Sequence, residues 1–330
     1  MKALVYTKAD EVVYRDEPDP VPGEGQVLVN VAASGICGSD MHAYHGHDPR
    51  RVPPLILGHE VAGTVATGES KGARVVINPL MTCGICTYCE SGRTNLCLKR
   101  ELIGMRVAGA YCEYVAIPER NLVPIPDSFD MVKASLAEPA ACSLHTLNRA
   151  QQQSPRPLAD LNALVIGGGA IGMLSALLLT SYGCRQVTVA EINKLRREMV
   201  ARSTGCAVHD PSNDPELPAD AFELVIDAVG GGVTRALGSR VVTPGGIFAH
   251  IGLMDSREGL DIKKVTLQEV DLIGIYTYTR KDFKATVGAL AGGMFGDLDW
   301  VETRPLSDGP RAFADLDKGI ISAAKLVLVP

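Results

Sequence analysis

The chain has 330 residues, 46% of them apolar and 21% charged, the balance of a globular protein long enough for two domains. Its net charge of −6, with basic residues scattered along the chain, argues against a nucleic-acid partner. No apolar segment followed by a cleavage site opens it, so its nine cysteines are not expected to form a disulfide framework and a cytoplasmic location is expected.

Taken in chain order, the first 130 or so residues hold short β-type runs separated by Gly and Pro: "ALVY", "QVLVNVAA", "VAGTVAT", "ARVVINP" and "YCEYVAIP". They predict a barrel-like all-β domain with long loops over 36–55 and 81–102. Next, "MVKASLAEPAACSLHTLNRA" spaces its apolar residues as a helix does, and "QQQSPRPLADL" is a polar, Pro-containing connection. Strands and helices then alternate: "NALVIGG" before a helix, "QVTVAEI" before "NKLRREMVARSTG", and "AFELVIDAVG" before "VTRALGSRVV". "GGIFAHIGL" and "VDLIGIYTY" are further strands. Near-continuous apolar strands alternating with helices predict an α/β fold with a parallel sheet covered on both faces. Residues 161–180 carry no charge, but adjacent glycines break them into a strand and a helix, so no membrane span is expected. Helices "KDFKATVGALAGG" and "GPRAFADLDKG" and a last strand "AKLVLV" follow. The expected division is 1–133 with 281–330 as one domain, carrying a lobe at about 81–102, and 134–280 as the dinucleotide-binding domain.

The lobe contains "TCGICTYCESGRTNLC", in which Cys83, Cys86, Cys89 and Cys97 have the spacing C-x2-C-x2-C-x7-C. Thiolates at this density suit tetrahedral zinc, and four of them leave no coordination position for a substrate. Backbone N–H groups, with Arg93, Lys99 or Arg100, would balance the surplus negative charge. Cys112, Cys142, Cys184 and Cys206 stand outside any cluster and are expected to be small buried apolar residues.

A site that does chemistry needs an open position, and a catalytic zinc commonly has three protein ligands. Cys37 in "SGICGSDMHAYHG" and His59 and Glu60 in "LGHEVAG" are candidate ligands, as is Glu138 in "LAEPAAC". Asp40 is a candidate acceptor for the spare ring proton of His59. Spacing alone does not bring these segments together.

"ALVIGGGAIGMLSA" contains Gly167-x-Gly169-x-x-Gly172, with Ala170 and Ile171 opening the helix after a strand. This is the pattern of a dinucleotide turn, with a diphosphate held at the helix N-terminus. Glu191 ends the next strand, where an acid accepts from the ribose hydroxyls and repels a 2′-phosphate, so NAD is favoured over NADP. Lys194, Arg196 and Arg197 are expected to form a solvated helix face.

Together, "GICGSDMH", "GHEVAG", the four-cysteine loop and "AEPAACSLHT" occur in the order found in zinc-dependent medium-chain alcohol dehydrogenases. The chain resembles that family over nearly its whole length, and most closely its polyol branch of sorbitol, L-idonate and threonine dehydrogenases. The resemblance implies a GroES-like β-barrel catalytic domain beside a Rossmann doubly wound parallel sheet, and two Zn²⁺ per chain. It implies catalytic-zinc ligands Cys37 and His59 with Glu60 or Glu138 as the third, the other glutamate holding or exchanging with zinc-bound water. It implies a proton relay through Ser39 and then His42, with backbone at Val229, Gly252 and Leu253 meeting the nicotinamide and Lys325 near the diphosphate. The activity implied is hydride transfer from a secondary alcohol, polyol or sugar acid to NAD. The competing readings are an NADPH-dependent carbonyl reductase and a non-catalytic, zinc-stabilised nucleotide-binding protein. The sequence departs from the sorbitol-type pattern at "GIYTYTRKD", where Thr277 stands between Tyr276 and Tyr278 in place of an arginine. Tyr278 itself reads as a pocket residue or a half-buried strand tyrosine. An apolar edge strand at "VDLIGIYTY" predicts a homodimer or homotetramer, with a small-molecule alcohol as the other partner.

Overall fold

Burial alternates along Gln26–Gly35, the mark of a strand with one face in a core. This strand is the hub of the first sheet in the computed structural model, which describes residues 1–184 and 186–330. It pairs antiparallel with Glu60–Val65, Tyr114–Pro118 and Lys325–Val329. The sheet continues through Arg74–Ile77 to Leu122–Pro124 on one side and ends with Val301–Pro305 on the other. Its inward side chains are mostly β-branched, among them Val27, Val29, Val31, Val61, Val75 and Ile117. A smaller sheet orders Glu11–Asp16, Lys2–Lys8 and Leu55–Ile56.

The second sheet runs Ala207–His209, Gln186–Ala190, Asn162–Ile166, Phe222–Asp227, Val242–His250, Asp271–Gly274, with every ladder parallel. After Ala207–His209 the chain returns to the far side of Asn162–Ile166. This reversal opens a crevice at the carboxyl ends of Asn162–Ile166 and its neighbours, where ligands of doubly wound sheets sit. The two sheets share one core: Ala62 and Val76 of the first pack in the same cluster as Ala163, Val165, Leu224 and Ile226 of the second. The crevice is therefore walled by both domains. No helix among the described residues is long and apolar enough to cross a membrane, and the uncharged stretch yields a strand and the 12-residue helix Ala170–Ser181.

Three elements differ from the sequence reading. The loop over 36–55 contains the helix Gly38–Tyr44, which begins just after Cys37. The helical stretch near 134 is two helices, Met131–Ser135 and Ala137–Gln153, broken at Leu136. The break puts Glu138 in the first turn of the second helix, where Pro139 is tolerated because first-turn N–H groups have no intrahelical acceptor. The strand read through "VDLIGIYTY" stops at Gly274 and does lie at the sheet edge. Beyond it Thr277 turns the backbone to a φ of +46°, and Tyr278 is 1% exposed, so it is not a half-buried strand tyrosine.

Residues 301–329 return to the first sheet, whereas helix Arg280–Ala291 places Phe283, Val287 and Leu290 in the core shared with the nucleotide-binding helices. A polar clamp fixes that helix to Ala137–Gln153. Asp282 accepts from Thr279 Oγ1 at 2.6 Å and Asn148 Nδ2 at 2.8 Å, and lies 2.7 Å from His145 Nδ1. Burial alone would raise the Asp282 carboxyl, but His145 and Thr279 outweigh it and hold it at about 2. A carboxyl held below its unfolded value adds stability above that value and loses it as pH falls. We expect about 2 kcal/mol of unfolding free energy to disappear between pH 5 and pH 2 through this group, and urea titrations of Asp282→Asn to lack that part of the slope.

Candidate active site

At the carboxyl end of Asn162–Ile166 the chain makes the glycine turn. Gly167 has a φ of +102°, which glycine alone adopts without strain, and a Cβ there would also strike Val229. A Cβ on Gly172 would overlap the Gly167 carbonyl, so the helix seats directly on the turn. Gly169, the cap of Ala170–Ser181, faces open space: a Cβ would meet nothing within 4 Å. Free N–H groups at a helix N-terminus beside open space fit an anionic diphosphate. Glu191 lies beside the turn with both carboxylate oxygens anchored, Oε2 by Gly168 N–H and Oε1 by Asn193 N–H, each at 2.7 Å. Of the neighbouring cations, Arg197 is tied to Asp210 and the carbonyls of Glu191 and Ile192, and Lys194 faces Glu198. Arg196 is half-buried with its Nε unpaired, which a fully solvated face does not explain.

A second loop closes the same end of the sheet. Fully buried Asp227 accepts from the N–H groups of Val229 and Gly230 and from Thr234 Oγ1. Gly230 and Gly252 touch backbone to backbone, with no room for a Cβ on either. Gly167, Val229 and Gly252 are thereby brought together, with Leu253 69% exposed beside them.

In the lobe, Cys83, Cys86, Cys89 and Cys97 converge with all four sulfurs within 4.8 Å of one another. Neighbouring sulfurs are 3.5 Å (Cys83–Cys97) and 3.6 Å (Cys86–Cys89) apart, a tetrahedral cluster's spacing without a disulfide. Backbone amides supply the counter-charge: those of Ile85 and Cys86 help pull the Cys83 thiol down to about 6. Of the side chains expected to help, Arg93 reaches Ser91 and Arg100 reaches the Cys97 carbonyl.

The second cluster lies between the sheets. One donor atom each from Cys37, His59 and Glu60 falls within 4.8 Å of the others. Buried Lys325 donates to Glu60 Oε1 at 2.6 Å and to the Ile36 carbonyl at 2.8 Å, so it braces the cluster and is not free to reach a diphosphate. Glu60 Oε2 is buried without a partner, and it sits over Gly35, where a Cβ would overlap it. Asp40 Oδ2 accepts from Tyr111 Oη at 2.6 Å and from Cys37 N–H at 3.1 Å. Asp40 Oδ1 stands 3.5 Å from His59 Nδ1 and 3.6 Å from Arg51 Nη2, and neither Asp40 Oδ1 nor His59 Nδ1 makes a hydrogen bond. Burial opposes a charge on His59, but Asp40 outweighs it and lifts the ring well above its ordinary value. Glu138 is not in the triad yet feels it: burial raises its carboxyl to about 6, with Glu60 adding to the rise and His59 opposing it. Tyr278 Oη is buried, lacks a well-formed hydrogen bond and is held protonated by burial and by Glu138.

Residues 23–127 match the alcohol dehydrogenase GroES-like domain, and residues 170–292 match the zinc-binding dehydrogenase family. The chain is 32% identical over 303 residues to L-galactonate-5-dehydrogenase of Escherichia coli K12, covering 88% of this chain and 87% of that one. It belongs to the zinc-dependent alcohol dehydrogenase family. Two solved relatives, each 26% identical, cover all of it. One is a zinc-binding dehydrogenase from Sinorhizobium meliloti 1021 bound to NADP, with TM-score 0.87 and 99% of that chain covered. The other is acetophenone reductase from Geotrichum candidum NBRC 4597 in complex with NAD, with TM-score 0.88 and 97% of that chain covered.

As a zinc-type dehydrogenase, the protein is an oxidoreductase, and its donor set fits its family's metal. A thiol, an imidazole and a carboxylate with an orphaned oxygen match a three-ligand zinc site with one position left over. Ser39 and His42 are three apart on the helix after Cys37 and share one face. Sequence reasoning missed Arg51, whose guanidinium is fully buried. It donates to Ser39 Oγ at 3.1 Å, to the Ser39 and Gly104 carbonyls and to Asp48. Only burial identifies it, because "DPRRVPP" reads as a polar loop. Tyr111 and Lys325 likewise act through partners distant in sequence. Replacing Lys325 by Met should cost about 3–5 kcal/mol in urea unfolding by stranding the Glu60 charge, with most of it recovered in Lys325→Met/Glu60→Gln.

Proposed function

We propose that this dehydrogenase oxidises a secondary hydroxyl of a sugar acid or polyol with NAD, using a zinc held by Cys37, His59 and Glu60. The convergence of those three donors at the crevice that begins at the glycine turn carries the reading. Zinc, when bound, supplies a Lewis acid that lowers the pKa of the substrate hydroxyl, and the nicotinamide supplies the hydride acceptor. Glu138 stands by as the exchanging carboxylate. Asp40 orients the His59 ring, and Lys325 and Arg51 hold Glu60 and Ser39 in place. Ser39, fixed by Arg51, takes the substrate proton and passes it towards His42, whose burial keeps its pKa below the ordinary value, so that it is neutral and able to accept. The four cysteines hold a second, closed zinc. The sugar-acid class rests on the L-galactonate-5-dehydrogenase relative.

Initial rates with NAD and L-galactonate, D-sorbitol, L-threonine and 2-butanol test this reading, together with metal analysis. The native protein is expected to carry two zinc ions per chain and to turn over a polyhydroxy substrate fastest. Cys37→Ser should keep one zinc and lose at least a thousandfold in kcat, and turnover surviving that loss would refute the mechanism.

Preference for NAD rests on Glu191, whose anchored carboxylate occupies the place a 2′-phosphate would need. Glu191→Ala should raise KM for NAD at least tenfold and leave NADP little changed or improved. An enzyme that prefers NADPH before the substitution would instead be read through Arg196.

A further inference from the structure

The closed cysteine lobe does more than staple its own loop. Between Cys89 and Cys97 runs the 3-10 turn Thr94–Leu96, and two consecutive residues of it reach the segment that follows the edge strand. Buried Asn95 donates from Nδ2 to the Tyr276 carbonyl at 2.8 Å, and Thr94 Oγ1 accepts from Arg280 N–H at 3.0 Å. The Arg100 guanidinium covers the Tyr276 ring at 4.8 Å. Arg280 opens helix Arg280–Ala291, so the lobe satisfies a first-turn N–H that has no acceptor within the helix.

These two bonds bracket Thr277 and Tyr278. Thr277 is β-branched yet held at a φ of +46°, a conformation that persists only where the surroundings impose it, and its Oγ1 is buried and unpaired. Tyr278 Oη is buried beside Glu138 without a well-formed hydrogen bond. Nothing in the edge strand fixes these residues, because its ladder ends at Gly274.

We propose that Thr94 and Asn95 are positioning residues, through which the closed metal site sets the place of Thr277 and Tyr278 on the substrate side of the open one. The proposal rests on reading the open site as the place of turnover. Released from the lobe, Thr277 would relax toward ordinary backbone angles and carry the Tyr278 hydroxyl away from Glu138. Substrate affinity would then fall, while cofactor affinity, whose main contacts lie at the glycine turn, would change little.

The test uses the full zinc-loaded chain with Thr94→Val, which keeps shape but loses the acceptor, Thr94→Ser, which restores it, and Asn95→Asp, which loses the donor. Thr94→Val and Asn95→Asp are expected to retain two zinc ions per chain. Amide exchange over 276–283 should accelerate about tenfold with 170–181 unchanged. With the fastest alcohol of the screen above, KM should rise about fivefold while kcat and the Kd for NADH stay within about twofold. Thr94→Ser should match the native protein on every reading. Unchanged exchange and KM in Thr94→Val with both metals bound would overturn the proposal, and so would loss of lobe zinc with exchange rising along the whole chain. If Asn95→Asp does not fold, the near-isosteric Thr94 pair decides alone. If no alcohol is turned over, the functional reading fails, and the exchange result still decides the coupling.

Discussion

One buried ion pair holds the open site together. Lys325, on the strand beside the hub of the first sheet, places its ammonium between Glu60 and the Ile36 carbonyl. Ile36 precedes Cys37 and Glu60 follows His59, so a single cation fixes the backbone beside one donor and the side chain beside another. Such a pair is weak evidence for stability, because burying two charges costs about what their attraction returns. Its effect is geometric. It neutralises one oxygen of Glu60, leaves the other aimed into the cluster, and limits the surplus negative charge that the thiol and two glutamates bring into a dry space. Gly35 completes the arrangement by leaving the room that the free oxygen occupies.

The opposite wall is built by close backbone approach rather than by charge. The turn at Gly167, the helix seated on it at Gly172, and the Gly230–Gly252 contact all depend on missing side chains. Asp227 organises the second loop with three hydrogen bonds, so this end of the crevice is preformed by backbone amides that one carboxylate holds still. Between the walls runs helix Ala137–Gln153, whose first turn presents Glu138 to the metal donors and whose later turns join the core of the nucleotide sheet. The candidate site and the domain packing thus share one rigid element.

Much of this was legible in the sequence because it is local. The four cysteines, the glycine turn and the acid at Glu191 each declare themselves within a short window, and strand–helix alternation gives the parallel sheet. The candidate metal triad was only half legible: Cys37, His59 and Glu60 have suitable chemistry, but their convergence comes from pairing Gln26–Gly35 with Glu60–Val65, which spacing does not encode. Residues that act by charge burial across long separations were invisible. Lys325 read as a cation near the cofactor and Arg51 was not singled out, since nothing nearby in sequence marks either as dry. The stretch at 276–278 failed for a further reason. Its β-branched and aromatic residues favour a strand, and tertiary contacts from the lobe override that preference.

The Lys325–Glu60 pair has a consequence for recombination. Residues 60 and 325 are 265 positions apart in the chain, yet the loss of either strands the charge of the other. A chimera that swaps in the first 130 residues of a cousin enzyme inherits its partner's glutamate surroundings but keeps this lysine. Crossovers therefore have to be chosen by sheet, with the segment 301–329 travelling alongside the amino-terminal half, even though a cut at one point in the gene would look simpler.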